Sequence, residues 1–281
     1  MSSPDRPAAS ARSRVGSVVR YREITPARSI RRFVRCFWIM EGEPAERPQR
    51  VVPDGCPEIV LNRADPFCWT GSDGIQHKQD EELAVGQLRR AIHIEASGSI
   101  DLIGIRFEPV GLRVFSGVPM HRLVDRDVGL DEIDGRLAAR LRSAARLPIP
   151  EAMKTLTRIL AARFDSDRGA SEDGWIAECA AGELASTDRP AVGRVARSLR
   201  VHRRSLERAF REHIGITPGI FRRVVRLRDA LREAEAAPRP CWASLATRHG
   251  YTDQSHLIRE SRLIAATTPQ RHTSEAAASS F

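Results

Sequence analysis

The sequence predicts an α+β chain: an N-terminal β-rich domain, barrel- or sandwich-like, a helical connector, and a C-terminal all-α domain with two helix-turn-helix units. Three observations lead there. Short apolar runs parted by Pro, Gly, Asp and Asn fill the stretch from Tyr21 to Leu130, the texture of short strands and turns. From Asp131 onward apolar residues recur at three- and four-residue spacing, the period of amphipathic helices. A helix-turn-helix pattern near Val195 then recurs 51 residues later. The 281 residues leave room for about two domains of ~100–150 residues each.

The first 19 residues are rich in Ser, Arg, Ala and Pro and carry no apolar h-region. They read as a disordered tail, not as a secretory leader. Apolar runs fall far short of the ~20 residues a membrane helix needs, so no membrane partner is expected. Residues 20–130 make the β-rich domain, with strands expected at Phe33–Met40, Glu58–Leu61, Ala91–Ile94 and Leu102–Phe107. Residues 131–164 form connecting helices. Leu137, Leu141 and Ala144 share one face and Leu156, Ile159, Leu160 and Phe164 another, with Pro148 and Pro150 between. Such a pair can dimerise or cap the β domain. Residues 165–174 are polar and Gly-containing, a linker, and residues 274–281 are expected to form a second disordered tail.

Charge is distributed unevenly. The chain carries +9 overall, yet residues 190–273 hold 17 Arg, no Lys and 7 acidic residues, a net +10 that leaves the remainder at −1. A near-neutral part joined to a basic one is the electrostatic outline of a nucleic-acid binder. Five cysteines, Cys36, Cys56, Cys68, Cys179 and Cys241, are scattered without a C-x-x-C pair. They read as incidental thiols of a reducing cytosol, with a redox or metal sensor built on Cys36, Cys56 and Cys68 as the sharper alternative.

No G-x-S-x-G, P-loop or dinucleotide fingerprint occurs, so neither an enzymatic activity nor a cofactor is expected. His77, His93, Glu95 and His121 lack the clustered H-x-H of a metal barrel, and no metal site is expected. Asp54 with Glu58 reads first as turn chemistry after Pro53. Trp38, Trp69, Arg106 and Phe107, with Phe67, are the residue types that line an effector cavity; residue by residue the aromatics read first as the core of a small β domain, with some pocket still expected in it.

The C-terminal signal is the sharpest. Val195, Ala196 and Leu199 stripe one short helix and Leu206, Ala209 and Phe210 the next, with Arg200-Val201-His202 as the turn. Leu206-x-Arg208-x-Phe210 matches Leu257-x-Arg259-x-Ser261, and Gly215-Ile216-Thr217-Pro218 matches Ala266-Thr267-Thr268-Pro269, each pair 51 residues apart. A helix over Pro218–Ala236 would join the two units. The strings R-x-L-x-R-x-F (Arg204–Phe210), G-x-T-P (Gly215–Pro218), R-L-x-x-A (Arg226–Ala230) and G-Y-x-D-Q-S-H (Gly250–His256) resemble the DNA-binding module of AraC/XylS-family transcription regulators. The likeness covers roughly residues 175–273. C-F-W (Cys36–Trp38), P-D-G-C-P-E (Pro53–Glu58) and G-x-R-F-x-P-x-G (Gly104–Gly111) look like the uncharacterised domain that often precedes this module.

The resemblance implies a cytoplasmic, sequence-specific regulator of transcription that binds double-stranded DNA and takes a small-molecule effector on its N-terminal domain. RNA polymerase and a homodimer partner are open to it. Arg204 and Arg208 project at i, i+4 from one side of the second helix, suited to guanine edges; each good bidentate pair contributes ~1–3 kcal/mol of discrimination. Glu207 would accept from cytosine or steer Arg204. Gln254, Ser255, His256 and Arg259 take the corresponding base-reading role in the second unit. Arg203, Arg211, Arg222, Arg223 and Arg262 are expected on phosphates, which position without specifying. Two units on one helix would meet successive major grooves ~34 Å apart, so one chain can read an asymmetric site.

The chain departs from the family pattern at five places. Arg200 stands where Gly is usual and His202 where a Ser or Thr cap is usual; Leu257, Ser261 and Ala266 replace Phe, Phe and Gly. Losing a buried aromatic at Ser261 should cost ~3 kcal/mol or more by analogy with large-to-small core changes. On that ground a second reading stays open, a ligand-sensing or interaction protein whose degenerate second unit no longer binds DNA specifically.

Overall fold

The computed structural model describes residues 19–43, 48–71, 73–166 and 171–279. The tail expected at residues 1–19 lies almost wholly outside them. Ten strands open the described chain: β1 (Arg20–Ile24), β2 (Val34–Gly42), β3 (Gln49–Val51), β4 (Glu58–Asn62), β5 (Phe67–Thr70), β6 (Gln76–Lys78), β7 (Glu82–Val85), β8 (Ile92–Ala96), β9 (Ile100–Phe107) and, after α1 (Gly111–Ser116) and a 3₁₀ turn at Met120–Arg122, β10 (Asp127–Gly129). They build two antiparallel sheets, β1-β2-β9-β4-β7-β10 and β3-β8-β5-β6.

Alternation along β2 and β9 sorts the side chains between two cores. Phe37, Ile39, Ile103, Ile105 and Phe107 face the helices, while Cys36, Trp38 and Leu102 meet Phe67 of the second sheet. Trp38 lies opposite Gly104 in the ladder, and a Cβ there would stand 1.8 Å from the indole. The glycine is the recess into which the ring fits.

Helices α2 (Leu130–Ala145) and α3 (Ile149–Ser166) cap the first sheet. Leu137, Leu141, Ala144, Leu156, Ile159, Leu160 and Phe164 all enter one core with the sheet residues. The expected apolar faces exist, and the β domain consumes them. The expected linker is shorter than its composition suggested: α3 runs to Ser166 and α4 (Glu172–Ala185) starts early. Ser171 caps α4 by accepting from Gly174 N, with Glu172 and Asp173 in the first turn, where carboxylates suit the helix dipole. Residues 167–170 lie outside the described residues.

The first helix-turn-helix consists of α5 (Val192–Ser198) and α6 (Arg203–His213), the second of α8 (Trp242–Arg248) and α9 (Gln254–Ala265), and α7 (Pro218–Ala236) joins them over the expected residues. Thr217 and Pro218 begin α7, and Thr268 and Pro269 begin α10 (Pro269–Ser279), in the same way: the threonine hydroxyl accepts a backbone N–H and proline occupies the first turn. Helix α10 carries the chain on through residues expected to be a tail. Alanines at 276–278 favour helix, and Arg271 pairs with Glu275 one turn on.

The unusual residues adopt the geometry of those they replace. Arg200 has φ 56° and Ala266 φ 54°, against 101° for Gly215, a left-handed backbone that strains an L side chain by roughly 1–2 kcal/mol. His202 occupies the N-cap of α6 without a side-chain bond. Ser261 is fully buried, and its hydroxyl donates to Thr267 O at 2.8 Å. Leu257, Ile264, Ala246, Tyr251, Leu227 and Leu231 pack around α9, so the second unit has a closed core without the aromatic.

The two halves interlock. Gly55, at φ 84°, lies so close to α7 that a Cβ would meet Val225 at 3.0 Å and Phe221 at 3.2 Å. Arg228 of α7 donates to Asp54 O at 2.9 Å. Arg32 makes a two-bond pair with Glu178 of α4, and Arg113 binds Glu212 of α6. Gly104→Ala should lower stability by about 1–3 kcal/mol through overpacking against Trp38, read as a drop in the urea midpoint with native-like fluorescence retained.

Candidate nucleic-acid interface

Helix α6 buries Leu206, Ala209 and Phe210 and exposes Arg203, Arg204, Glu207, Arg208 and Arg211. This is the outcome of a 3.6-residue period with arginine at nearly every outward position. Arg204, Ser205, Arg208 and Arg211 come together along one open groove of about 1090 Å³, whose opposite wall is Arg89, His121 and Val124 of the β domain. Arg204 and Arg211 form no ion pair among the described residues. Arg208 is held by a two-bond pair with Asp173 of α4, at 2.9 and 3.0 Å. Glu207 accepts from Arg203 at 2.9 Å, so it steers that residue and not Arg204; an i, i+4 pair on one helix is the shorter reach.

In the second unit Gln254, Ser255, Arg259 and Arg262 are exposed on α9. Asp253 caps the helix by accepting from His256 N at 2.7 Å. The His256 ring turns back onto its own turn, contacting Thr252 at 3.3 Å and packing edge-on against Tyr251. It is half-buried, and it shapes the approach to α9 more than it projects from it.

Three of the five arginines expected on phosphates are engaged by the protein itself, Arg203 by Glu207 as above. Arg222 donates twice to Arg189 O, and Arg223 makes a two-bond pair with Glu260. Their positions on α7 bring them beside buried acceptors that sequence spacing cannot reveal. Arg226 is the residue that reading by motif left without a role. It is buried, donates to Glu260 and to Gly250 O, and lies over the Tyr251 ring at 4.1 Å. It ties α7 to the turn and recognition helix of the second unit, and its place in the R-L-x-x-A string was the available signal.

The residues expected to line an effector cavity occupy separate surroundings. Phe107 belongs to the sheet–helix core and Trp38 to the core between the sheets, while Trp69 packs with Leu88 and Ile92. Adjacent strand residues point to opposite faces, which separates 106 from 107. Arg106 bonds to Glu58 at 2.5 Å, and both border a cavity of about 90 Å³ beside Asp54 and Gly55. Burial pushes the Cys36 thiol up to about 11 and raises Cys56 well above its ordinary value, the reverse of a reactive thiolate. Among the described residues no group of three or more His, Cys, Asp or Glu is arranged to hold a metal ion, and no helix is long and apolar enough to cross a membrane.

Comparison with known families bears on both halves. Residues 195–274 match the family model described as "Helix-turn-helix domain". The C-terminal segment is an AraC-type helix-turn-helix domain. Residues 22–129 match a "Domain of unknown function (DUF6597)". No curated protein matches the chain. Among solved structures, ToxT from Vibrio cholerae O395 aligns at 9% identity over 84% of this chain and 96% of its own, with a TM-score of 0.49. An unsaturated fatty acid-bound ToxT from V. cholerae strain SCE256 gives 10% identity, 92% and 95% coverage and a TM-score of 0.44. The AraC-like transcriptional activator CuxR gives 13%, 78%, 88% and 0.31.

In this AraC-type domain the buried Glu260 pair sets a pH dependence. Burial alone would raise the Glu260 carboxyl; hydrogen bonds and charges from Arg223 and Arg226 outweigh it and hold the group below its ordinary value. A lowered carboxyl stabilises the fold above the unfolded pKa of about 4.3, and that contribution is lost as pH falls through the folded value. Glu260→Ala, which leaves Arg226 buried and unpaired, should cost about 3–5 kcal/mol in chemical denaturation at neutral pH. Glu260→Gln should lack this part of the acid-side loss.

Proposed function

We propose that the chain is a sequence-specific DNA-binding regulator of transcription, which works in the cytoplasm by binding and not by catalysis. The observation that carries this is the pair of recognition helices, α6 and α9, mounted on the single buried helix α7 with unpaired arginines outermost. Arg204 and Arg211 on α6 and Arg259 and Arg262 on α9 form no ion pair among the described residues, so a duplex gains their charge without breaking a bond inside the protein. Arg204, Arg208 and Arg259 are assigned to base edges with Gln254 and Ser255 beside them; Arg203, Arg211 and Arg262 are assigned to phosphates. Arg208 leaves Asp173 to reach DNA. This exchange trades one half-buried carboxylate for a guanine edge.

Control by an effector at the β domain fits the contacts between the halves. Residues 54 and 55, next to the small cavity of Arg106 and Glu58, touch α7 directly. A ligand that moved that loop would move the helix carrying both recognition elements, altering access to RNA polymerase at a promoter. The closed core around Ser261 favours two working units over a degenerate second one.

Binding of the purified chain to duplexes from a random-site selection, followed by fluorescence anisotropy across a salt series, tests the reading. A selected duplex should bind more tightly than a scrambled one, with affinity falling steeply as salt rises. Arg208→Ala and Arg259→Ala should each cost about 1–3 kcal/mol of preference, at different positions of the selected site. Equal weak binding to every duplex would refute it. Asp173→Asn, which frees Arg208, should leave folding intact and tighten the selected duplex by a few-fold at most.

A further inference from the structure

The β domain looks electrostatically neutral as a sequence, yet its structure gathers basic residues against the DNA-reading face. Two of its loops, Gly86–Ala91 and Met120–Arg126, are joined edge to edge. Gly86 N donates to Arg126 O, and Asp125 N donates to Gln87 O. Asp125 in turn accepts from Arg89 N at 2.7 Å and from Arg89 Nε at 2.5 Å. A Cβ on Gly86 would fall 2.0 Å from Leu123 O, so the junction admits no side chain at that position.

This joined wedge reaches both helix-turn-helix units. On one side Val124 and Met120 O abut Gly215, just past the end of α6, at 3.0 and 2.7 Å from a would-be Cβ. On the other, Ala91 N donates to Ile264 O, near the end of α9, at 2.6 Å. Arg89 borders the groove of α6 together with Arg204, Arg208 and Arg211, and with Arg90 it borders a second cleft beside Arg223 and Ile264. The wedge therefore touches both helix-turn-helix units, just past the end of α6 and near the end of α9. Arg90, Arg122 and Arg126 are exposed and form no ion pair among the described residues.

We infer that this wedge is a third DNA-contacting element, which binds the phosphate backbone between the two major grooves through Arg89 and Arg90, with Arg122 and Arg126 adding charge. The inference rests on the reading of α6 and α9 as DNA-binding helices. Its physical basis is that a duplex read by both helices must carry its phosphates past the wedge, which presents Arg90, Arg122 and Arg126 without an ion pair among the described residues beside Arg89, which Asp125 holds. Such contacts position the duplex without selecting sequence. They also place a loop of the β domain in the complex, so that the domain shares in the affinity it would regulate.

The test uses the full chain with Arg90→Ala, Arg90→Glu and the double variant R89A/R90A, each first checked for an unchanged melting temperature. Arg90 forms no ion pair or hydrogen bond through its side chain among the described residues, so its variants leave the wedge intact even if the double variant loosens it. The expected result is several-fold weaker binding to selected and scrambled duplexes alike, with the preference between them kept. The slope of log affinity against log salt should fall by about 0.9 for each phosphate contact removed, and Arg90→Glu should weaken binding more than Arg90→Ala. Unchanged affinity and slope would overturn the inference, and so would tighter binding, which would make the wedge a barrier. If the wild-type chain keeps a preference that Arg208→Ala abolishes while the loop variants behave as wild type, only the wedge fails. If the wild-type chain shows no preference for any duplex, the parent reading fails and the wedge falls with it.

Discussion

Helix α7 is packed on three sides, and the placement of both recognition helices depends on that packing. Phe221 and Val225 join the core of the first unit, while Val224, Leu227, Ala230 and Leu231 join the core of the second. Its third side meets the β domain at Gly55, where a side chain would collide with Phe221 and Val225. A helix fixed along its length cannot let the two units rotate independently. The separation of α6 and α9 is therefore set by the protein before DNA arrives, which lowers the ordering cost of binding.

The arginines divide by what surrounds them. Arg226, Arg223 and Arg222 are drawn inward to Glu260, Gly250 O and Arg189 O, where they hold α7 to its neighbours. Arg204, Arg211, Arg259 and Arg262 stay outside without partners among the described residues. Guanidinium groups suit both duties, since the same planar fork that binds a carboxylate or a carbonyl inside can bind a phosphate or a guanine outside. Arg208 stands between the groups: it is exposed, but occupied by Asp173.

Much of the organisation was legible in the residues. The period of 51, the Thr-Pro starts of α7 and α10, and the apolar stripes of α5, α6 and α9 follow from local rules of spacing and capping. Strands β2, β4, β8 and β9 were visible through their apolar residues, whereas β1, as long as β4 and β8, is mostly polar and was not. Strands β3, β6 and β10 have three residues each and exist through their pairing, which leaves no local pattern to read. Trp38, Trp69 and Phe107 suited either a cavity or a small β core, and alternation across the sheets places them in three separate cores.

By itself, the sequence determined the two-part α+β class, the tandem helices and the basic outward face of each unit, because periodicity and capping are properties of neighbours in the chain. Tertiary structure alone decided which arginines are free, since burial beside Glu260 or Arg189 O joins residues more than thirty positions apart. It also decided that Ser261 closes a core with a hydrogen bond to Thr267 O. And it brought Arg89 and Arg90, unremarkable charges in a neutral stretch, to the border of both helix-turn-helix units. Long-range packing sets the distance between charges, and that distance determines whether an arginine supports the fold or faces a ligand.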